Sequence, residues 1–408
     1  MPVTAPSIAG ALPTSREEVV RRAKELRPIL ADAGPSIDAE GSDPTDNMRL
    51  LGEAGLHALN VPATLGGLWD GPSFGGWRHT IETLTEISAG DGSTGQCWLS
   101  GALVAREVFD APELPSETRE QLADEVLRRG RRFVASNAET GGNGRVVGRR
   151  VPGGIVVDGT KTFNTNSGGG GQDITSVSFA LLGDDEQLES STRHHALIRL
   201  DNPALTLHHD WDNMGQRGTY SQTIDYREVF VPDGWHFPAH AADPYFFCAA
   251  MLLHAGLLQG IGEGAYDAAI GYLQKLNRPS MPKFGTATND PLMHRQLGEM
   301  SSELAASRAL MLTVAEQLES PDRDAEPAEM AIRGFRAKVA STRAGLEVSS
   351  RIHDLTGARS TSNTYRLDRF WRNARTFGSH DSIDAKNAFI GAFDLAGALP
   401  AIPEYIRI

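Results

Sequence analysis

The feature that most constrains the fold of this chain is a change of texture at Arg132. From there to about Trp235, short β-prone runs follow one another between glycine clusters: Phe133 to Ser136, Val146 to Val151, Ile155 to Val157, Ser176 to Leu182, Ala196 to Leu200 and Ser221 to Val231. Several alternate apolar and polar residues in period two, the pattern of a sheet packed on one face. On both sides of this block the periodicity is helical, so the chain is expected to build a sheet between two helical regions.

Arg16 to Ala33 reads as a helix that begins at Ser15, with Glu18 placed for a capping box. A second helix is expected from Asp46 to Leu59, and two more, Trp77 to Ile87 and Ser93 to Phe109, flank the loop Ala89-Gly90-Asp91-Gly92-Ser93. Beyond Asp243, apolar residues recur at three-four spacing: Met293, Leu297, Met300, Leu304, Met311 and Leu318, then Ile332, Phe335, Val339, Leu346 and Ile352. Long helices with such stripes pack as a bundle. The run from about Tyr245 to Leu273 is apolar nearly all round, which suits a central helix or a subunit contact. Its most apolar part, Phe246 to Ile261, is interrupted by His254, Gln259 and glycines and falls short of a membrane span. The expected class is therefore α+β, divided into an N-terminal helical domain (1–130), a middle β-domain (131–238) and a C-terminal helical bundle (239–408).

A chain of 408 residues, 40% apolar and 22% charged, can bury a sizeable core. Its net charge of -13 disfavours nucleic acid as a partner. Cys97 and Cys248 lie far apart without CxxC or Cys/His spacing, which argues against a disulfide framework and structural zinc and fits a reducing cytoplasm. Met1 to Pro13 lacks a basic segment followed by an apolar core, so no secretory signal is expected. The pairs His194-His195 and His208-His209 read as strand residues with side chains on opposite faces, and no metal is expected. Gly168 to Gly171 reads as a mobile loop without the spacing of a dinucleotide or P-loop fingerprint.

Candidate chemistry concentrates near the C-terminus. Arg369 to Asp381 reads Arg-Phe-Trp-Arg-Asn-Ala-Arg-Thr-Phe-Gly-Ser-His-Asp. Three arginines with two aromatics can hold an anion and present an imidazole beside it, or can form an ion-paired helix end. The run from Gly357 through Tyr365 and Asp368 to Asp381 resembles the C-terminal signature of flavin-dependent monooxygenases built on the acyl-CoA dehydrogenase fold, in particular the dibenzothiophene monooxygenase-like group. Pro62-x-x-x-Gly66-Gly67, followed by Gly90-Asp91-Gly92-Ser93, resembles the N-terminal helical domain of that superfamily. Asp158 to Asn166 resembles its strand beneath the flavin ring, and Trp211 to Thr219 the segment that follows on the same sheet.

The resemblance implies that Asn137, Thr165 and Trp211 border the isoalloxazine, a flat apolar ring with one polar edge. Taken singly, each also reads as a plain structural residue: a strand-end turn, a strand threonine and a core indole. The phosphate calls for cations, and Arg278 and Arg359 stand at the matching positions. Where the dehydrogenases carry a Gly-Gly-x-Gly run, this chain has Gly357-Ala358-Arg359, which favours FMN over FAD. A surface ion pair is the plain alternative for either arginine.

His380 and Asp381 decide the reaction class. In the resembling group the histidine serves flavin-oxygen chemistry, whereas acyl-CoA dehydrogenases place a carboxylate base near Asp381. The pair can also simply cap the helix that follows. The implied activity is a two-component monooxygenase: reduced FMN from a separate flavin reductase, O2, a C4a-(hydro)peroxide and a small organic substrate, in a homotetramer with flavin sites at subunit contacts. The alternatives are a dehydrogenase or nitroalkane oxidase-like enzyme with Asp381 as base, and a non-catalytic flavin-binding protein. The group's second histidine, in a Tyr-His pair, is replaced here by Ser100-Gly101, which implies a different substrate pocket.

Overall fold

The computed structural model describes residues 11–70, 75–139, 145–183, 185–239, 244–320 and 324–398. Helix α1 (Arg16–Glu40) starts as expected, the Ser15 hydroxyl accepting from Glu18 N at 3.2 Å. The Glu18 carboxylate accepts from Thr14 N instead of Ser15 N, so the capping box closes one residue early. The helix does not stop at Ala33 but runs through Pro28 and Pro35 to Gly41, which takes the left-handed conformation at φ 63°. Val19, Ala23, Leu26, Leu30 and Ile37 keep one buried stripe across both prolines, and packing outweighs the lost helix hydrogen bonds.

Helix α2 spans Thr45–Glu53, and the segment expected to continue it is a separate 3-10 turn, Leu56–Asn60. Helices α3 (Trp77–Gly90) and α4 (Gly92–Asp110) follow. The loop expected between them shrinks to Asp91, a buried cap whose carboxylate accepts from Thr94 N at 2.7 Å and Thr94 Oγ1 at 2.6 Å. Helix α5 (Ser116–Arg129) had no counterpart among the expected elements.

The strands are β1 (Phe133–Ser136), β2 (Val147–Val151), β3 (Gly154–Asn164), β4 (Ile174–Leu182), β5 (Leu188–Arg199), β6 (Leu205–Leu207), β7 (Gln222–Pro232) and β8 (His236–Pro238). They form one sheet in the order β6-β7-β3-β2-β4-β5-β8, with β1 parallel to β4. All six expected runs are strands, though β3 and β5 reach well beyond them. Val134, Val177, Phe179, Ala196 and Ile224 fill a core within the sheet domain. Phe133, Ile174, Leu197 and Phe237 pack instead against α4 and α5. This second face matters for the site.

The C-terminal helices are α6 (Phe246–Leu276), α7 (Pro291–Glu319), α8 (Pro327–Thr356), α9 (Asp368–Gly378) and α10 (Ile383–Ala396). Contrary to the expectation from 246–261, α6 is long and apolar enough to cross a membrane, but 78% of its most apolar stretch is buried inside the fold. It is the core helix, packed mainly on α8 and α3. One apolar cluster joins residues of α1 to α4 with residues of α6 to α9, so the two helical regions share a core.

Candidate active site

The C-terminal arginines act mainly as braces. Arg372 grips Asp38 of α1 with both terminal nitrogens, at 2.8 and 2.5 Å, and its Nε donates to Asp368 at 2.7 Å. Arg369 is buried, its guanidinium 4.0 Å over the Phe370 ring, and burial pushes its pKa down to about 10. Arg375 donates to Ser379 Oγ. The anion-holding role is therefore taken up by carboxylates of the protein itself for Arg372, and the ion-paired reading of this helix holds.

The same helix fastens the segment that carries Trp211. Arg372 Nη1 donates to the Met214 carbonyl at 2.9 Å, and Asn373 Oδ1 accepts from Gln216 N at 2.7 Å. The Gln216 carbonyl in turn accepts from the Trp211 indole at 3.0 Å. A Cβ on Gly215 would stand 2.1 Å from the Arg372 carbonyl oxygen, so only glycine permits this approach. Trp211 meets Phe163 edge to face at 5.8 Å, and Phe163 is 58% exposed. Beside them the Thr165 hydroxyl shares a hydrogen bond with Ser221 at 2.9 Å and receives one from Gln96 Nε2 at 3.5 Å. An open aromatic platform with a hydroxyl at its edge suits a flat ring with one polar side. Asn137 is exposed one residue past the end of β1, and its carbonyl accepts from Lys161.

Helix α9 ends at Gly378, and His380 and Asp381 turn the chain into α10. Asp381 is not the cap of α10; the hydroxyl of Ser382 is, accepting from Ala385 N. Asp381 is held by two ammonium groups instead, Lys338 at 2.6 Å and Lys386. Burial works to raise the Asp381 pKa, but the Lys338 charge and the hydrogen bonds from both lysines outweigh it and hold the carboxyl below the usual range. The His380 ring stacks on Phe377 at 5.7 Å and meets the buried His254 edge to face at 5.3 Å. Burial and the Lys338 charge keep His380 below its ordinary pKa, against the pull of Asp381. Lys338 is itself brought down to about 8, by burial above all, and its Nζ stands 3.4 Å from His254 Nδ1. The corner thus presents a neutral imidazole near pH 7 and a carboxylate that is fully engaged.

Sequence reasoning missed His254, Lys338 and Lys386. A signal existed: Lys338 sits on the apolar stripe of its helix, beside Phe335 and Val339, where a lysine is buried only with a partner. Arg278 and Arg359 are exposed on the bundle, after α6 and in the 3-10 turn Ala358–Thr361. Burial and the neighbouring Tyr365, whose ring lies 5.0 Å away, raise the Tyr272 pKa against the pull of Arg359 and Arg278, so the structure gathers two cations and two phenols. These lie on different elements from Asn137, Thr165 and Trp211.

Two other expectations change. In the Gly168 to Gly171 stretch, Gly169 packs on Arg132, where a Cβ would fall 1.0 Å from Nη2, while nothing lies within 4 Å of a Cβ on Gly170. Of the two histidine pairs, His194-His195 lies in a strand, whereas His208 and His209 follow the end of β6, His209 at φ 53°. Among the described residues no group of three His, Cys, Asp or Glu side chains could hold a metal ion.

Residues 252–385 match the family model described as "Acyl-CoA dehydrogenase, C-terminal domain". The chain is 30% identical over 395 residues to the dibenzothiophene monooxygenase of Rhodococcus erythropolis, covering 90% of each chain. It is 28% identical to the probable FMNH2-dependent monooxygenase SfnC of Pseudomonas putida, over 94% of this chain and 96% of that one. The fold matches FMN-bound TdsC from Paenibacillus sp. A11-2 with a TM-score of 0.81 at 23% identity, over 94% of this chain and 98% of the other.

Proposed function

Since the chain belongs to the flavin-dependent monooxygenases of the acyl-CoA dehydrogenase superfamily, we propose that it is the oxygenase of a two-component system. It takes reduced FMN from a separate flavin reductase and uses O2 to oxygenate a small organic substrate; the likeness to an FMNH2-dependent relative and to an FMN-bound structure supports the cofactor. When bound, reduced FMN supplies the electrons that activate O2, one oxygen atom entering the substrate and the other leaving as water.

The Phe163–Trp211 platform and the Thr165 hydroxyl fit the ring, with Asn137 at its border, and the paired guanidiniums of Arg278 and Arg359 fit a terminal phosphate. We further infer that a second copy completes each flavin site, in a homotetramer. The exposed Leu395 on α10 supplies apolar surface for such contacts. We further propose 1–130, 131–238 and 239–408 as the working divisions of the chain, and the reducing cytoplasm, which suits two buried free cysteines, as its compartment.

One observation carries the choice of reaction: Asp381 is clamped by Lys338 and Lys386 while the adjacent His380 keeps an open edge. A carboxylate held by two ammonium groups is a weak base for a substrate C–H, so the dehydrogenase reading loses its catalyst. The neutral His380 ring can accept or hold a proton beside the reacting oxygen, with Asp381 and Phe377 orienting it. The test is turnover of a substrate panel with isotope-labelled O2 and a generic flavin reductase. His380→Ala should cut oxygenation about a hundred- to ten-thousand-fold and raise hydrogen peroxide release, while Asp381→Asn should cost much less. The reverse ranking, or products without labelled oxygen, would sink the monooxygenase reading.

A further inference from the structure

Helix α4 carries a line of polar atoms that no described residue satisfies with a hydrogen bond. Gln96 Oε1, Ser100 Oγ and Glu107 Oε2 are all buried without a hydrogen-bond partner among the described residues. At roughly 100° per residue, positions 96, 100, 103 and 107 fall within about 60° of one another, so these atoms and Leu103 share one face of the helix. That face looks onto the sheet. At its upper end Gln96 Nε2 donates to Thr165, the hydroxyl at the edge of the aromatic platform. At its lower end Glu107 Oε2 stands 3.9 Å from His195 Nδ1 of β5, whose ring stacks on Phe237 at 5.4 Å.

Glu107 is an unusual residue for such a place. The neighbouring Arg106 does not neutralise it, because its guanidinium is turned to Trp69 and Trp77, at 4.5 and 4.2 Å. Burial pushes the Glu107 carboxyl up to about 7, and yet its side chain remains 34% open to solvent. Its Oε2 is buried and without a hydrogen-bond partner among the described residues while the rest of the side chain reaches solvent, so the carboxyl stands where a ligand can approach it. Leaving such acceptors unpaired costs free energy that an arriving donor would recover.

We propose that this face of α4 is the wall of the substrate pocket and that Glu107, backed by His195, is its polar floor, selecting substrates that carry a hydrogen-bond donor at the end remote from the flavin. The inference deepens the oxygenase reading and rests on it. Eleven helical steps lead from Gln96 to Glu107, about 16 Å of wall, so the substrate class is an elongated molecule with a hydroxyl or amine at the far end.

The test is binding to the FMN-loaded protein, with para-hydroxybiphenyl and para-methoxybiphenyl as probes that differ in the donor. The native protein should bind the hydroxyl compound roughly tenfold to a hundredfold more tightly. Glu107→Leu should abolish that preference. Glu107→Gln, close in shape and still an acceptor, should retain part of it and guards against a folding defect in the leucine variant. Equal affinity of the two probes for the native protein, or a preference that survives Glu107→Leu, would overturn the proposal. Because the readout is binding, it fails separately from the oxygenase reading, which fails if labelled oxygen does not enter product.

Discussion

At the scale of the residue, the corner around His380 is governed by charge. Burial above all, then the Lys338 and Lys386 charges, lower the His380 pKa, and Asp381 opposes them, while buried His254 completes the group facing the ring. Activity that needs a neutral imidazole should therefore persist somewhat below the ordinary histidine pKa of 6.5 and fall at more acid pH. Lys338→Met removes a cation that disfavours protonation and leaves Asp381 less neutralised; both changes raise the His380 pKa. The acid limb of the kcat/KM profile should move to higher pH, and a limb that stays in place or moves down would mean that His380 is not the titrating group. The exposed Arg359 allows a second test. Its loss should weaken FMN binding about ten- to a hundred-fold but hardly affect riboflavin, whereas an equal loss for both would assign it a structural role.

At the scale of the element, α9 connects three parts of the fold. It clamps α1 through Arg372 and Asp38, fastens the Trp211 segment through Asn373 and the Arg372 side chain, and leads directly into His380. Asp38 is only 3% exposed, so Arg372→Met would leave a buried carboxylate with the longer Arg366 pair, at 3.7 Å, in place of its two-pronged clamp. The expected cost is about 3 kcal/mol, read as a lower denaturant midpoint, and it should be accompanied by weaker FMN binding as the platform loosens. A variant as stable as the native protein would remove α9 from its bracing role. In the same way α4 is two-sided. Ser100 belongs to the face that carries Gln96 and Glu107, whereas Gly101, about 100° further round, lies against the start of β1, 3.7 Å from the Phe133 carbonyl, and lines a small cavity with Met48, Cys97, Trp98, Phe133 and Asn166. The replacement of the Tyr-His pair of the resembling group thus touches two neighbouring environments, and Ser100 belongs to the helix face that ends at Glu107.

At the scale of the whole molecule, stability should depend on acid through histidines that the fold keeps neutral. His57 is buried against the helix cores with its Nε2 unpartnered, and burial, aided by the Arg132 charge, pushes its pKa down to about 4 from 6.5. In the unfolded chain it takes up a proton below about 6.5; in the folded chain it does so only near 4. The unfolded state is therefore favoured progressively as pH falls through that window, by about 3 kcal/mol in all. His57→Leu should flatten this part of the stability curve, measured by urea unfolding at a series of pH values. An unchanged slope would place the acid sensitivity elsewhere, with His254 the next candidate.

Local periodicity determined what local periodicity can: the six expected strands, the buried α6, the long striped helices, and the order helix, sheet, helix. It was legible because a strand or a helix face repeats within a few residues, and the C-terminal motif carried the reaction class for the same reason, being contiguous. What the tertiary structure alone decided joins residues far apart in the chain. That Arg372 would spend its charge on Asp38, that Lys338 and Lys386 would close on Asp381, and that Glu107 would face His195 all depend on which helix packs against which sheet face. Even α1 passes two prolines because its buried stripe continues across them. Charges are expensive to bury alone, so their partners are chosen by the packing of the whole fold, which no short window of sequence contains.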